Sequence, residues 1–117
     1  MRILFIVNPI SGLGLGKELP DKIKKMPEYD GVGYDIVFTE YAGHARILVE
    51  EARTTGKYSH IVAVGGDGTV NEVGGALCGS DIAFAVVSLG SGNGFARHLG
   101  YSIFMNKALK QVLTDQY

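Results

Sequence analysis

Four short, almost wholly apolar runs punctuate this chain, and three of them end in a cluster of glycines. Residues 2–7 (RILFIV), 60–64 (HIVAV) and 82–89 (IAFAVVSL) lead into NPISGLGLGK (8–17), GGDGT (65–69) and GSGNG (90–94). The remaining run, YDIVFT (34–39), stops at Glu40. Short β-branched runs without polar alternation are strands buried on both faces, which is the environment of a parallel sheet. Helical spacing fills the intervals. Leu19, Ile23 and Met26 repeat at i, i+4, i+7, with Pro20 acceptable only in the first turn. Between Gly43 and Thr55, Ala45, Leu48, Val49 and Ala52 form an apolar stripe that closes near Gly56. Residues 69–78 form a further helix, and Met105, Leu109, Val112 and Leu113 mark a last one. The pattern predicts a three-layer α/β/α protein, its parallel sheet built from residues 2–7, 34–39, 60–64 and 83–88 with helices on both faces. It also places all three glycine loops on the rim at the carboxyl ends of the strands, where such sheets bind ligands.

The totals set the outer bounds. A length of 117 residues fits one compact domain, and 46% hydrophobic with 20% charged residues is an ordinary globular composition. A formal net charge of −1 offers no global attraction to nucleic acid or to an anionic membrane, so no nucleic-acid partner is expected. The single cysteine, Cys78, excludes an internal disulfide and suits a reducing, cytoplasmic compartment. The opening MRILFIVNPI has the charge and apolar run of a signal peptide, but Asn8-Pro9 interrupts it and no small-residue cleavage site follows, so it reads as a first strand. No segment is long enough to span a bilayer.

The glycine clusters carry the chemistry. The first fails as a P-loop, because Ser11 stands where its first glycine belongs and Glu18 where its magnesium-binding hydroxyl belongs. It also fails as a dinucleotide fingerprint: Gly12, Gly14 and Gly16 give G-x-G-x-G, one residue short, although Glu40 is placed for a ribose contact. A more general reading survives, in which small residues leave backbone N–H groups free near a helix start, with Ser11 adding a hydroxyl and Lys17 a charge. A plain surface loop explains the same residues equally well. In the second cluster, Gly65, Gly66 and Gly68 allow positive φ and close approach of a ligand. Thr69-Val70-Asn71-Glu72 matches a capping box, Thr69 as N-cap and Glu72 reaching back. Asp67 is left without a structural task, and a magnesium–phosphate contact or proton handling suits it. In the third cluster, Ser91 and Asn93 are natural cap residues, and Arg97 is either a phosphate ligand or a surface residue.

Together, Asn8-Pro9-Ile10-Ser11-Gly12, TEYAGHA (39–45), Gly65-Gly66-Asp67-Gly68-Thr69-Val70-Asn71 and Gly90-Ser91-Gly92-Asn93 with Phe95-Ala96-Arg97 resemble the diacylglycerol kinase catalytic domain family, which includes sphingosine kinases and bacterial lipid kinases. Four motifs in order over most of the chain make the resemblance specific. It implies an α/β nucleotide-binding domain of the type shared with NAD kinases and phosphofructokinases, and magnesium-dependent transfer of the ATP γ-phosphoryl group to a lipid hydroxyl. It implies an ATP site lined by Asn8, Pro9, Ile10, Ser11, Gly12, Thr39, Gly65, Gly66, Asp67, Gly68, Thr69, Val70, Asn71 and Ser91, with Asp67 as catalytic and metal-binding residue; His44 reads as structural. Two departures stand out. Gly94 replaces an aspartate common in the family, and the β-rich second domain that completes the lipid site and carries the general base is not among these residues. The expectation is therefore an N-terminal half, inactive by itself, of a kinase working in the cytoplasm or at the inner membrane surface where its lipid substrate lies. The acceptor lipid and the oligomeric state stay open, a homo-oligomer included. An NAD kinase-like enzyme shares the Gly-Gly-Asp-Gly core but not the flanking motifs. A non-catalytic nucleotide-binding module is the other alternative, and a dinucleotide-binding oxidoreductase ranks last.

Overall fold

The structure, a computed structural model, describes residues 1–12, 14–89 and 105–114. Four strands, β1 (Arg2–Val7), β2 (Gly33–Phe38), β3 (His60–Gly65) and β4 (Ala83–Ser88), form one sheet in the order β2-β1-β3-β4. Every pairing is parallel. The expected strands are all present, each within a residue or so of its predicted bounds. Helix α1 (Leu19–Lys24) follows a 3₁₀ turn over Leu15–Glu18, α2 (His44–Thr55) joins β2 to β3, and α3 (Asp67–Ala76) joins β3 to β4. Residues 105–112 form α4. Pro20 sits in the first turn of α1, and that helix ends at Lys24, short of Met26, because Pro27 disfavours helical geometry in the residue before it.

Alternation along each strand divides the core into two layers. Ile3, Phe5 and Val7 of β1, with Val62, Val64, Ala85 and Val87, face α1 and α4, meeting Leu19, Ile23, Met105, Leu109 and Val112. Leu4 and Ile6, with Ile61 and Ala63, face α2 and α3 and meet Ala45, Val49, Ala52, Val73 and Leu77. Full burial of side chains such as Phe5, Ile3 and Ile6 contributes about 1.5–3 kcal/mol each. The Tyr29 hydroxyl donates to the Leu109 carbonyl at 2.6 Å, tying α4 to the segment after α1.

The edge strand β2 is stapled to its neighbours at the end of the sheet away from the glycine loops. Arg2 grips Asp35 through Nε at 3.0 Å and Nη2 at 2.8 Å. Tyr58, from the turn before β3, donates its hydroxyl to Asp35 Oδ2 at 2.6 Å, and Lys57 Nζ lies 3.5 Å from the same oxygen. Hydrogen bonds from Arg2 and Tyr58 hold the Asp35 carboxyl down at about 2. Burial and the same hydrogen bond push the Tyr58 phenol up.

The chain reverses its direction of travel across the sheet between β1 and β3. The helix after β1 covers one face and the helix after β3 covers the other. A crevice at the carboxyl ends of such a strand pair is where open parallel sheets receive ligands.

Candidate functional site

The ladder bonds run past the ends of the strands and fix the rim. Asn8 N–H donates to the Val64 carbonyl at 2.9 Å, Thr39 N–H to the Val7 carbonyl at 2.8 Å, and Leu89 N–H to the Gly65 carbonyl at 2.9 Å. The first residues after β1, β2 and β4 thus emerge along one rim. Above them lies a cleft of about 370 Å³ lined by Asn8, Pro9, Ile10, Thr39, Glu40, Tyr41, Ala42, Ala45, Gly68, Thr69 and Glu72. Its lip is apolar: Ile10 is 75% and Tyr41 58% exposed, whereas most large apolar side chains among the described residues are buried or partly buried.

One wall is the start of α3. Gly65 stands there because nothing larger fits: a β-carbon would come within 2.9 Å of Thr69 Oγ1 and 3.2 Å of Asn8 Cβ. This close approach lets α3 start directly over the end of β3. Gly68 is the reverse case, with open space on its side-chain side and the cleft in front of it. The expected positive φ is found at none of Gly65, Gly66 and Gly68; the left-handed glycines lie elsewhere, including Gly12, Gly14 and Gly43. The cluster's glycines serve packing and access instead.

The capping box is also corrected. Helix α3 begins at Asp67, with Gly66 as N-cap and no side-chain cap bond, so Thr69 lies inside the first turn and is buried. The chain enters the helix three residues sooner than the box predicts, where Gly65 permits the tight contact just described. Val70 N–H donates to the Gly66 carbonyl at 3.1 Å as the first bond of the ladder. The amides of Asp67, Gly68 and Thr69 therefore have no partner within the helix, and they sit at its positive end. Two of these residues line the cleft. Such an arrangement accepts an anion.

The loop after β1 behaves differently from expectation. Its amides are engaged within the loop: Ser11 donates to the Asn8 carbonyl, Gly14 and Gly16 to that of Ser11, Leu15 to that of Gly12, and Lys17 to that of Gly14, at 3.1–3.3 Å. Asn8 Oδ1 accepts the Ile10 N–H at 3.1 Å, closing a turn that presents Pro9 and Ile10 to the cleft. This loop contributes a shaped wall more than a set of free donors.

The third wall is the segment 39–45. The Glu40 N–H donates to His44 Nδ1 at 2.9 Å, and the Tyr41 ring stacks on the His44 ring at 4.5 Å and 16°. His44 therefore braces its own loop, in keeping with a structural role. Gly43, the N-cap of α2 at φ 90°, has no side-chain cap of its own, and its N–H donates to Glu72 Oε2 at 3.3 Å across the cleft. At the far end of the same helix pair, Arg53 Nη1 donates to the Ala76 carbonyl at 2.8 Å.

Of the residues expected at the site, Asn8, Pro9, Ile10, Thr39, Gly68 and Thr69 are brought together in the cleft. Ser11 and Gly12 continue the first loop outside its lining, Gly65 lies buried beneath it, and Gly66 forms the helix cap. Asp67 is exposed at the first position of α3, next to the cleft rather than in it. Val70 is half-buried against the α2 side of the core, and Asn71 is exposed on α3. Ser91, with Asn93, Gly94, Arg97 and the rest of the third glycine loop, falls outside the described residues. Tyr41, Ala42, Ala45 and Glu72 line the cleft without having been expected as site residues, and so does Glu40, which was weighed only as the ribose contact of a dinucleotide fold. Their signal lay in the TEYAGHA segment, whose position after β2 marks the same rim. Among the described residues, no group of three or more His, Cys, Asp or Glu side chains gathers to hold a metal. Asp67 presents one exposed carboxylate at the start of α3, beside the cleft.

A parallel α/β sheet with a cleft beyond its strand ends, beside an uncapped helix start, belongs to the class of open α/β folds whose ligand sites lie at that rim. The profile described as the diacylglycerol kinase catalytic domain matches residues 2–117, and the chain belongs to that family. The protein named "Probable lipid kinase YegS" of Escherichia coli O6:K15:H31 (strain 536 / UPEC) is 41% identical over 85 residues, which are 69% of this chain and 28% of that protein. "Probable lipid kinase YegS-like" of Pseudomonas savastanoi pv. phaseolicola (strain 1448A / Race 6) is 41% identical over 78 residues, 65% of this chain and 25% of that one. A crystal structure of a diacylglycerol kinase from Bacillus anthracis str. Sterne matches with a TM-score of 0.71 at 30% identity, covering 98% of this chain and 42% of that chain. The chain thus spans 25–28% of the length of these curated relatives. No helix among the described residues is long and apolar enough to cross a membrane.

Proposed function

We propose that this chain is the ATP-binding part of a lipid kinase that transfers the ATP γ-phosphoryl group to the hydroxyl of a diacylglycerol-like lipid. The observation that carries the reading is the convergence of Asn8-Pro9-Ile10, Thr39 and Gly68-Thr69, from three strand ends, on one cleft beside an uncapped helix start. In this reading the phosphates lie on the free amides of Asp67, Gly68 and Thr69. The base and ribose extend toward the 39–42 wall, between Ile10 and Tyr41. Asp67 holds the Mg²⁺, which when bound neutralises charge on the β- and γ-phosphates.

Phosphoryl transfer is mostly positioning and electrostatics, so a clamp without an acceptor site is only part of the machine. The two carboxylates nearest the cleft are poor candidates for the base that deprotonates the acceptor. Glu72 is engaged by Gly43, and Glu40 is exposed on the rim. A base supplied from outside these residues, worth about 10²–10⁴-fold, fits better. Two measurements test the reading. Titration with ATP–Mg²⁺ and with NAD separates a kinase of this family from the NAD-directed alternatives. Lipid-dependent ATP turnover by residues 1–117 and by a protein of the relatives' full length, under the same conditions, separates a kinase from a pure binding module. The expected result is ATP binding by both and turnover only by the longer protein.

A further inference from the structure

We infer that Glu72 is a positioning residue which, as a cap lent by α3 to α2, holds the 39–43 wall of the cleft against the opposite wall. The inference rests on the nucleotide reading above only for its consequence for binding.

The loop after β2 is tied at three places. Its start is fixed to the sheet by the bond from Thr39 N–H to the Val7 carbonyl. Its middle is braced from within, by the bond from Glu40 N–H to His44 Nδ1 and the Tyr41–His44 stack. Its end, Gly43, adopts a left-handed conformation and, as a glycine, offers α2 no side-chain cap. There the Glu72 carboxylate accepts the Gly43 N–H, and this is the tie that comes from the facing wall of the cleft. The match is electrostatically sound, since a carboxylate at the start of α2 offsets the helix's positive end and satisfies an orphan donor. Glu72 is free for this task because α3 starts at Asp67, which leaves Glu72 a full turn too far along to cap its own helix. Arg53, bonded to the Ala76 carbonyl, clamps the same two helices at their other end, so the pair is pinned at both ends. The Glu72 bond is the one of the two that also borders the cleft.

The length of the bond, 3.3 Å, makes the role depend on reach more than on charge. That dependence gives the test its order. Glu72→Gln keeps the acceptor oxygen at the same reach without charge, Glu72→Asp keeps the charge and loses a methylene of reach, and Glu72→Ala loses both. Amide hydrogen exchange at Gly43, followed by NMR, reads the tie directly and needs no ligand. Exchange is expected to quicken about ten-fold in Glu72→Asp and Glu72→Ala and to stay near wild type in Glu72→Gln. ATP–Mg²⁺ affinity is expected to follow the same order, with about a ten-fold loss in the Asp and Ala variants. Unchanged Gly43 exchange in Glu72→Asp would overturn the inference. So would an affinity loss largest in Glu72→Gln, which would make the carboxylate a direct ligand contact. Should the wild-type chain bind no ATP while Gly43 exchange follows the expected order, the nucleotide reading fails and the positioning role stands.

Discussion

Gly65 and Asn8, at the ends of neighbouring strands, are so close that a β-carbon on Gly65 would lie 3.2 Å from Asn8 Cβ, and 2.9 Å from Thr69 Oγ1. The contact couples the first loop to the start of α3. Gly65→Ala must displace one of these partners, and overpacking of this kind costs about 1–3 kcal/mol. A fall in denaturant midpoint of matching size, with weakened ligand binding, is the expected outcome. An unchanged midpoint would mean that α3 shifts freely and that the contact does not position it.

Gly68, three residues on, gives the opposite expectation. A β-carbon there meets nothing within 4 Å, and its φ is not left-handed. Gly68→Ala should hold or raise stability by about 0.5–1 kcal/mol, because glycine disfavours a helix. The added methyl faces the cleft, so nucleotide affinity should fall while the protein grows no less stable. Loss of stability without loss of affinity would remove Gly68 from the proposed site.

Asp67 buries little, being exposed at the first position of α3. Asp67→Asn is therefore expected to change the melting temperature little while abolishing the magnesium dependence of nucleotide binding. Comparing ATP affinity with and without Mg²⁺ in both proteins checks this. Collapse of the melting temperature with intact magnesium dependence would make Asp67 a structural residue.

Much of this architecture was readable from residue pattern alone, and the exceptions share a cause. The four strands and their parallel arrangement follow from runs such as HIVAV that are apolar on both faces, a signal that local sequence carries fully. What was misread depends on contacts between distant segments. Thr69 and Glu72 have the right spacing for a capping box, yet the capping donor that Glu72 satisfies is Gly43, 29 residues away. The glycines of GGDG suggest unusual dihedrals, whereas Gly65 is there for the approach of Asn8 and Thr69. Of the 39–42 wall only Thr39 was expected in the nucleotide site, because a lining role for Tyr41 and Ala42 depends on α3 facing them across the cleft.

The staple at the other end of the sheet makes a pH prediction. Asp35 is held at about 2, below its unfolded value near 3.8. Its contribution is therefore fully present above about pH 4 and is lost as pH falls through the folded value. The carboxylate is 33% exposed, so screening keeps the effect to about 1 kcal/mol. Urea unfolding of wild type and Asp35→Asn should show a stability gap at pH 6 that closes toward pH 2. A gap that persists at pH 2 would place its origin in packing and not in the ion pair.

The central claim is that ATP occupies the strand-end cleft, and amide chemical-shift mapping during titration with ATP–Mg²⁺ tests it most directly. The account predicts saturable shifts concentrated at residues 8–12, 39–43 and 66–69, absent when NAD replaces ATP and weakened in Asp67→Asn. Shifts gathered instead around α1 and α4, or no saturable shift at millimolar ATP, would contradict it.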